Sequence, residues 1–222
     1  MPGDKQREWF EAAWADREER LYALHFGNIG EGIYPLGPDS FSGMPQEKGL
    51  DPRWLTHGVF ECPPNDARPT WLYVSSGLSN AWEDDSPNPD GWSGLGCEFV
   101  IETPQQSRWA LFLLQRMVAF QISLAAGRFP VKPVLGVWDR LPLRSSIDGK
   151  ASKLTFVLLT PATRFSEIQH LASGKFEFLQ FVGMTEDEAA FARERGSDVL
   201  YGMLLETGAA PVTDAGRCSI LG

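Results

Sequence analysis

The spacing of apolar residues along the chain predicts a succession of helices and strands. In residues 4–26 the apolar side chains recur at steps of three and four, which is typical of one helix face. They are Phe10, Ala13, Trp14, Leu21 and Leu24. Glu and Arg fill the other positions and are expected to face solvent. Asp4 can cap the start of this helix, and Gly27 can end it.

Short apolar runs bounded by turn residues predict three strands in the next part of the chain. They cover residues 56–62, 70–76 and 96–103. In the third strand Phe99 and Ile101 fall on one face. The opposite face carries Glu98 and Glu102, so we expect a half-buried strand on which Glu102 is solvated and Glu98 is either solvated or paired with an Arg.

The middle of the chain is more apolar. Residues 105–126 predict a helix, and apolar side chains around most of its circumference indicate burial on two sides. Strands follow at residues 154–160 and 176–183. Both faces of these two strands are largely apolar, which predicts central positions in a sheet covered from above and below.

Two short helices are predicted near the end of the chain. Thr185 and Glu188 have the spacing of a capping box, which opens a helix that ends at Arg195. A second helix is expected over residues 197–206. No linker divides the sequence, so the 222 residues are expected to form one domain, 1–222.

Charge is distributed unevenly. The chain has a net charge of −9, but residues 69–107 contain six acids and no Lys or Arg, whereas residues 108–153 contain eight bases and two acids. The two segments either neutralise each other in the fold or present opposite patches. A protein that binds duplex nucleic acid needs a basic stripe, so the net charge argues against that class.

The chain lacks the features of an exported or membrane protein. The N-terminal residues contain no apolar core of a signal peptide, and no window of about 18 apolar residues is present. The three cysteines Cys62, Cys97 and Cys218 are widely spaced, without a CxxC pair. Reduced thiols in a cytoplasm are therefore expected.

No catalytic, metal or cofactor motif emerges from the residues. The three histidines lack metal-ligand spacing, and no nucleophile elbow occurs. Gly94 and Gly96 precede a strand and no Lys follows, which disfavours phosphate binding. Glu98 and Glu102 lie about 13–14 Å apart on an extended strand, too far for a glycosidase pair. Cys97 is expected to be a buried small residue.

The segment 80–94 is the strongest candidate for a contact surface. Two Trp flank a run of acids there, and aromatic side chains beside acids suit a basic protein partner. The candidate binding residues are Trp82, Asp84, Asp85, Asp90 and Trp92. The alternative is that one or both Trp fix the loop to the core.

Four ordered blocks resemble the suppressor of fused family. The first combines WLYVSSGLS at 71–79 with SGLGCEF at 93–99, and the second is an apolar helix at 109–121 that begins with Trp109. The third block combines LLT at 158–160 with FLQFVGMTEDE at 178–188, and the fourth is VTDAGR at 212–217. The matching core covers about residues 54–218.

The resemblance implies an α+β domain with a central, mostly antiparallel sheet flanked by helices. It also implies a set of motif residues with structural roles: Trp71, Gly77, Ser79, Gly94, Gly96, Glu98, Asp214 and Arg217. The three glycines are expected at turns. Asp214 and Arg217 are expected to pair with each other or with Glu98, as an Arg–carboxylate fork that fixes the end of the chain.

In animals the family member is a two-domain cytoplasmic regulator that holds a Gli peptide strand between its domains. This chain matches only the N-terminal domain, so Gli-type binding is not expected to carry over. It is most similar to bacterial single-domain members, some proposed as immunity proteins. The resemblance therefore implies a non-catalytic module that inhibits a protein partner. The alternatives are an enzyme with a site around Glu98, Asp214 and Arg217, and a scaffold that captures a strand at a sheet edge.

Overall fold

A sheet of eight strands runs through the whole protein. The computed structural model describes residues 2–45, 49–84, 86–165 and 167–222, with side chains from residue 8 onward. The strands are β1 (Ile33–Pro35), β2 (Gly58–Cys62), β3 (Trp71–Ser76), β4 (Trp92–Thr103), β5 (Arg140–Pro142), β6 (Phe156–Pro161), β7 (Gln169–Leu171) and β8 (Gly174–Met184). Their order is β1-β2-β3-β4-β8-β6-β5, with β7 also paired to β8.

The sheet is mostly antiparallel, as expected. Among the strands in the described part of the chain, only β4 and β8 run parallel. These two strands are also the longest and lie in the middle. The α+β class is therefore confirmed, and the predicted strand pattern is close to the observed one apart from the short strands β5 and β7. Ile33 and Tyr34, which the sequence pattern offers as a short strand candidate, lie in β1.

The helices lie where the sequence pattern places them. They are α1 (Pro2–Ala15), a π-helical stretch (Asp16–Tyr22), α2 (Ala23–Phe26), α3 (Arg108–Ala125), α4 (Glu186–Arg195) and α5 (Ser197–Glu206). Short 3₁₀ turns cover Pro38–Phe41, Pro52–Thr56 and Thr163–Phe165. The capping box of Thr185 and Glu188 is present at the start of α4. No helix in the described ranges has both the length and the apolar character needed to cross a membrane.

The two faces of the sheet are covered by different helices. Side chains alternate along a strand, so odd and even residues of β8 point to opposite faces. Leu179 and Phe181 belong to the core that also contains the buried side of α3. Phe176 and Phe178 pack with α1, the π-helical stretch and α2, which together form the N-terminal helical segment, residues 2–26. Val182 and Met184 pack with α4 and α5. Both faces of β8 are therefore buried, as predicted.

The prediction for β4 was wrong on one face. Glu98 and Glu102 are fully buried and do not lie in solvent. They point to the same face as Val100, which packs in the core formed with the N-terminal helical segment. Because that helix covers this face, the alternation of Glu with apolar residues does not mark an exposed face here.

The N-terminal helical segment buries most of the predicted stripe, with Ala13 and Leu21 buried and Phe10 and Trp14 half-buried, but it departs from the prediction at two positions. Leu24 is 72% exposed, whereas Arg17, expected in solvent, is 1% exposed. The π-helical stretch has a wider turn than an α-helix, which changes the residues facing the sheet. Leu21 and Tyr22 lie next to Arg17 on the buried side.

Helix α3 is buried on only part of the circumference that the pattern predicted. Leu114, Val118 and Ala119 are fully buried against the sheet. Phe112, in contrast, is 54% exposed. One side of this apolar helix therefore lines an open surface.

Candidate functional site

The turn after β3 is built around the carboxylate of Glu98. Gly77 N and Ser79 N donate hydrogen bonds to Glu98 Oε1 at 2.9 and 3.0 Å, and Ser79 Oγ donates at 2.7 Å. Ser75 Oγ donates to Oε2 at 2.5 Å. Gly77 has a φ of 128°, a conformation that L side chains rarely adopt. The G-L-S motif therefore wraps its backbone donors around one buried carboxylate.

Arg17, in the π-helical stretch, reaches this turn from the helix that covers the sheet. Its guanidinium donates to Ser79 Oγ at 2.9 Å, to Asn80 Oδ1 at 2.7 Å and to Ser76 Oγ at 2.7 Å. Its Nη1 lies 3.7 Å from Glu98 Oε1. We refer to Arg17, Ser75, Ser76, Ser79, Asn80 and Glu98 as the buried charge cluster. All six side chains are buried, so the cluster offers no surface to a substrate and acts as a structural anchor.

His57 packs beside the cluster. A Cβ at Gly77 would lie 2.5 Å from His57 Cδ2, so the glycine permits this contact. Burial lowers the pKa of His57, and the negative charge of Glu98 offsets part of that effect. The imidazole is therefore held neutral between the turn and the 3₁₀ segment before β2.

The predicted partners of Arg217 were wrong. Arg217 binds Glu188 on α4, with Nη1–Oε1 and Nη2–Oε2 distances of 2.6 and 2.7 Å. Burial alone would raise the pKa of Glu188. Hydrogen bonds from Arg217, Thr185 N and Ile220 N lower it overall. Asp214 is exposed and accepts a hydrogen bond from Gly216 N at 2.8 Å.

The residues of the alternative enzyme site therefore do not converge. Glu98 is bound inside the buried charge cluster, Arg217 is forked to Glu188, and Asp214 closes its own turn in solvent. The sequence predicted that Arg217 pairs with a carboxylate, but it did not identify Glu188 as that carboxylate. Glu188 was already explained by its place in the capping box of α4.

The cysteines in the core are not activated nucleophiles. Burial, reinforced by Glu98, raises the pKa of Cys97 far above its ordinary value. Burial also raises the pKa of Cys62, to about 12. Across the described ranges, no group of three or more His, Cys, Asp or Glu side chains is arranged to hold a metal ion.

The structure separates the two Trp of the acidic loop. Trp82 is half-buried, and its ring centroid lies 4.3 Å from that of Phe10 on the N-terminal helix. Trp92 is 54% exposed at the start of β4. The alternative interpretation, a Trp that fixes the loop, describes Trp82, whereas Trp92 remains on the surface.

Backbone contacts hold Trp92 in place. Lys175 N on β8 donates to Gly91 O at 2.8 Å, and Trp92 pairs with Lys175 in the sheet. Gly96, with a φ of 69°, lies under the indole, where a Cβ would be 3.0 Å from Trp92 Cε3. The backbone that carries this exposed ring is therefore held by the two central strands, β4 and β8.

The acidic residues of this segment have different environments. Asp90 is exposed and Asp84 is half-buried, while Asp85 lies outside the described residues. Glu83 forms an ion pair with Arg53 at 2.9 Å. Glu98 and Glu102 are buried, so the acidic surface is smaller than the sequence count suggests. We refer to Asp84, Asp90 and Trp92 as the acidic loop face.

The glycines and Trp of the family blocks occupy tight positions. Gly94 has a φ of 56°, and a Cβ there would lie 2.4 Å from Asn80 O. Ser79 is buried in the cluster, and Trp71 is half-buried at the start of β3. Gly94 and Ser79 therefore lie where the turn after β3 meets the start of β4, whereas Trp71 lies at the other end of β3.

A second surface feature was not foreseen from the sequence. A groove of about 630 Å³ lies between α3 and residues 141–149. Apolar and basic side chains line it together, including Phe112, Leu113, Arg116, Lys132 and Arg144. The sequence signal for this groove was that apolar residues surround most of α3, more of its circumference than packing against the sheet can bury.

Most of the chain matches one protein family. The family model for Suppressor of fused protein (SUFU) matches residues 54–218. A search of curated protein sequences gives no match.

Several solved structures share the fold at low sequence identity. The chain is 16% identical to a putative suppressor of fused homolog from Neisseria gonorrhoeae FA 1090, with a TM-score of 0.61 and coverage of 96% of this chain and 97% of that one. A chain of the Sufu–Fu complex is 19% identical, with a TM-score of 0.62 and coverage of 96% and 91%. Drosophila Suppressor of Fused is 21% identical, with a TM-score of 0.57 and coverage of 73%. The match spans 42% of the length of that Drosophila protein.

Proposed function

The chain belongs to the suppressor of fused family, and from that premise we propose that it is a non-catalytic module that binds and inhibits a protein partner in the cytoplasm. The match to a chain of the Sufu–Fu complex supports a protein-binding role. Glu98 is buried, and Glu98 and Arg217 are engaged by separate partners, which supports a role without catalysis. Inhibition of a toxin, as an immunity protein, is the specific form that we propose.

We further propose that residues 1–222 act as one suppressor of fused-like domain. Both ends of the chain are anchored to the sheet region. Arg17 joins the N-terminal helical segment to β3 and β4 through the buried charge cluster. Arg217 joins the last residues to α4 through Glu188 and donates to Gly183 O on β8 at 2.7 Å.

The acidic loop face is the proposed contact surface, and the exposed Trp92 is the observation that carries it. A ring that is half-exposed yet fixed by the two central strands loses little conformational freedom on binding, which is typical of an interface hot spot. Asp90 lies beside it in a segment without Lys or Arg, which favours a basic partner through complementary charge. A net charge of −9 strengthens the long-range attraction.

Co-expression with the products of the neighbouring genes would test this function. The tagged chain should co-purify with one of them, relieve its toxicity and bind it as a purified protein. Trp92→Ala and Asp90→Lys should weaken that binding at least about tenfold. Glu194→Lys, a matched charge reversal on the exposed side of α4, should leave it unchanged. Equal binding by all three variants would reject the acidic loop face.

A further inference from the structure

The groove between α3 and residues 141–149 has the form of a binding site. Its volume of about 630 Å³ lies within the range of about 300–1,000 Å³ usual for ligand clefts. Half-buried or exposed apolar side chains form much of its lining. They include Trp109, Phe112, Leu113, Phe120, Phe129, Leu141 and Leu143. A contiguous apolar surface of this kind usually marks an interaction site.

Hydrogen bonds hold both walls of the groove in place. Arg116 on α3 donates to Ser42 O at 2.8 Å, and this fixes its position at the rim. On the other wall, Leu143 N donates to Thr155 O at 2.9 Å and Ile147 N to Leu154 O at 2.8 Å. The groove is therefore formed before anything binds in it.

The lining is basic although the protein is acidic. Arg116, Lys132 and Arg144 line the groove, and among the described residues Asp148 is the one carboxylate in the lining. Asp148 accepts hydrogen bonds from Lys150 N and Ser152 N at 2.9 and 3.2 Å, so it is engaged by its own turn. In the part of the chain that the structure describes, Arg144 is exposed and makes no ion pair.

Among the described residues, three non-glycine residues have a positive φ, and one of them, Arg144, lines this groove. Arg144 has a φ of 63°, and Val131, next to Lys132, has a φ of 64° and is fully exposed. A residue other than glycine in this left-handed region is unusual and commonly lies at a ligand-binding position. Glycine would adopt the left-handed backbone at position 144 more easily than arginine, yet position 144 carries a positively charged arginine.

We propose that this groove binds an acidic segment of a protein partner, whose apolar side chains contact the α3 wall and whose carboxylates pair with Arg144 and Lys132. The charge of the lining selects an acidic segment and disfavours a basic one. The apolar floor, with Phe112 exposed on it, requires aliphatic or aromatic side chains as well. The groove lining contains none of the residues of the acidic loop face, so this proposal does not depend on that surface.

Fluorescence polarisation with designed peptides tests the proposal directly. The probe is a fluorescein-labelled peptide of Glu, Leu and Phe, compared with a peptide in which Lys replaces every Glu and one in which Ser replaces every Leu and Phe. The first should bind, and binding should weaken as salt rises from about 50 to about 200 mM because surface charges are screened. Equal binding of the Lys peptide or the Ser peptide would overturn the proposal.

Variants of the whole chain locate the binding. Arg144→Glu and Phe112→Ser should each weaken binding of the Glu, Leu and Phe peptide at least about tenfold. Arg193→Glu, an exposed charge reversal on α4, is the matched control and should bind normally. Arg144→Gly suits the left-handed backbone, so it should weaken binding while the thermal midpoint stays the same or rises. Unchanged binding by folded Arg144→Glu and Arg144→Gly would overturn the proposal.

Discussion

Arg17 of the N-terminal helical segment and Glu98 of β4 meet on the same face of the sheet, where Arg17 Nη1 lies 3.7 Å from Glu98 Oε1 and the two side chains are 1% and 0% exposed. Neither charge has access to water. The serines around them and the backbone N–H groups of the turn satisfy most of their remaining hydrogen-bonding capacity. The pair therefore connects the helix to the central motif of the sheet.

Removing Arg17 should destabilise the protein strongly. Arg17→Met leaves Glu98 as a buried carboxylate without its cation, and the expected loss in free energy of unfolding is about 3–5 kcal/mol. Urea denaturation measures it. Arg20→Met is the control, because Arg20 is an exposed partner of Asp16 and such pairs contribute about 1 kcal/mol or less. Equal losses for the two variants would show that the buried charge cluster is not an anchor.

The pairing of Arg17 with Glu98 is a part of the fold that local sequence patterns do not predict. The period of the apolar residues was enough to find the long strands, α3 and the capping box of α4, because these signals are local. The burial of Glu98 depends on Arg17, which is distant in sequence and looks like an ordinary exposed helix residue. An alternation of Glu with apolar residues is expected both for a strand with one face in solvent and for a strand whose Glu face is covered by a helix that supplies a buried Arg.

The surfaces were harder to predict than the core. Trp82 and Trp92 both lie in the acidic segment, and tertiary contacts distinguish them: Phe10 packs on Trp82, whereas Trp92 begins β4 and pairs with Lys175. The groove depends on how residues 141–149 lie against α3, a relationship that no local period encodes. Arg217 was expected in a fork, but the choice of Glu188 follows from where α4 packs.

The turn glycine Gly77 should be difficult to replace. Gly77→Ala adds a Cβ at a φ of 128°, 2.5 Å from His57 Cδ2 and 3.1 Å from His57 Cα. Gly32→Ala separates the two effects, because Gly32 has a similar φ of 133° and no atom within 4 Å of the added Cβ. The overpacking should make Gly77→Ala about 1–3 kcal/mol worse than Gly32→Ala by urea denaturation. Equal effects would mean that His57 does not restrict the turn.

The fork between Glu188 and Arg217 should make stability depend on pH on the acid side. Because the pKa of Glu188 is lowered in the folded state, its contribution is fully present above its unfolded value of 4.5. That contribution is lost as pH falls below 4.5 and through the lower folded value. The difference in free energy of unfolding between the native chain and Glu188→Gln should therefore be constant near neutral pH and shrink below about pH 4.5.

Glu194→Gln controls for this measurement, since it removes an exposed carboxylate from the same helix. Arg217→Met should remove most of the same acid-side dependence, because it eliminates the main hydrogen-bond donor to Glu188. A difference between the native chain and Glu188→Gln that grows toward low pH would contradict the assigned direction of the pKa change.

The two Trp of the acidic segment should differ in what their removal affects. Trp82→Ala removes the contact with Phe10 that holds the loop on the N-terminal helix, so it should lower the free energy of unfolding by about 1–3 kcal/mol. Trp92→Ala removes a ring that is 54% exposed, and its effect on stability should stay below about 1 kcal/mol. Urea denaturation of the two variants, with partner affinity measured on the same samples under native conditions, separates the roles. We expect Trp92→Ala to lose affinity while it remains stable, and a large loss of stability in Trp92→Ala would assign Trp92 to the core.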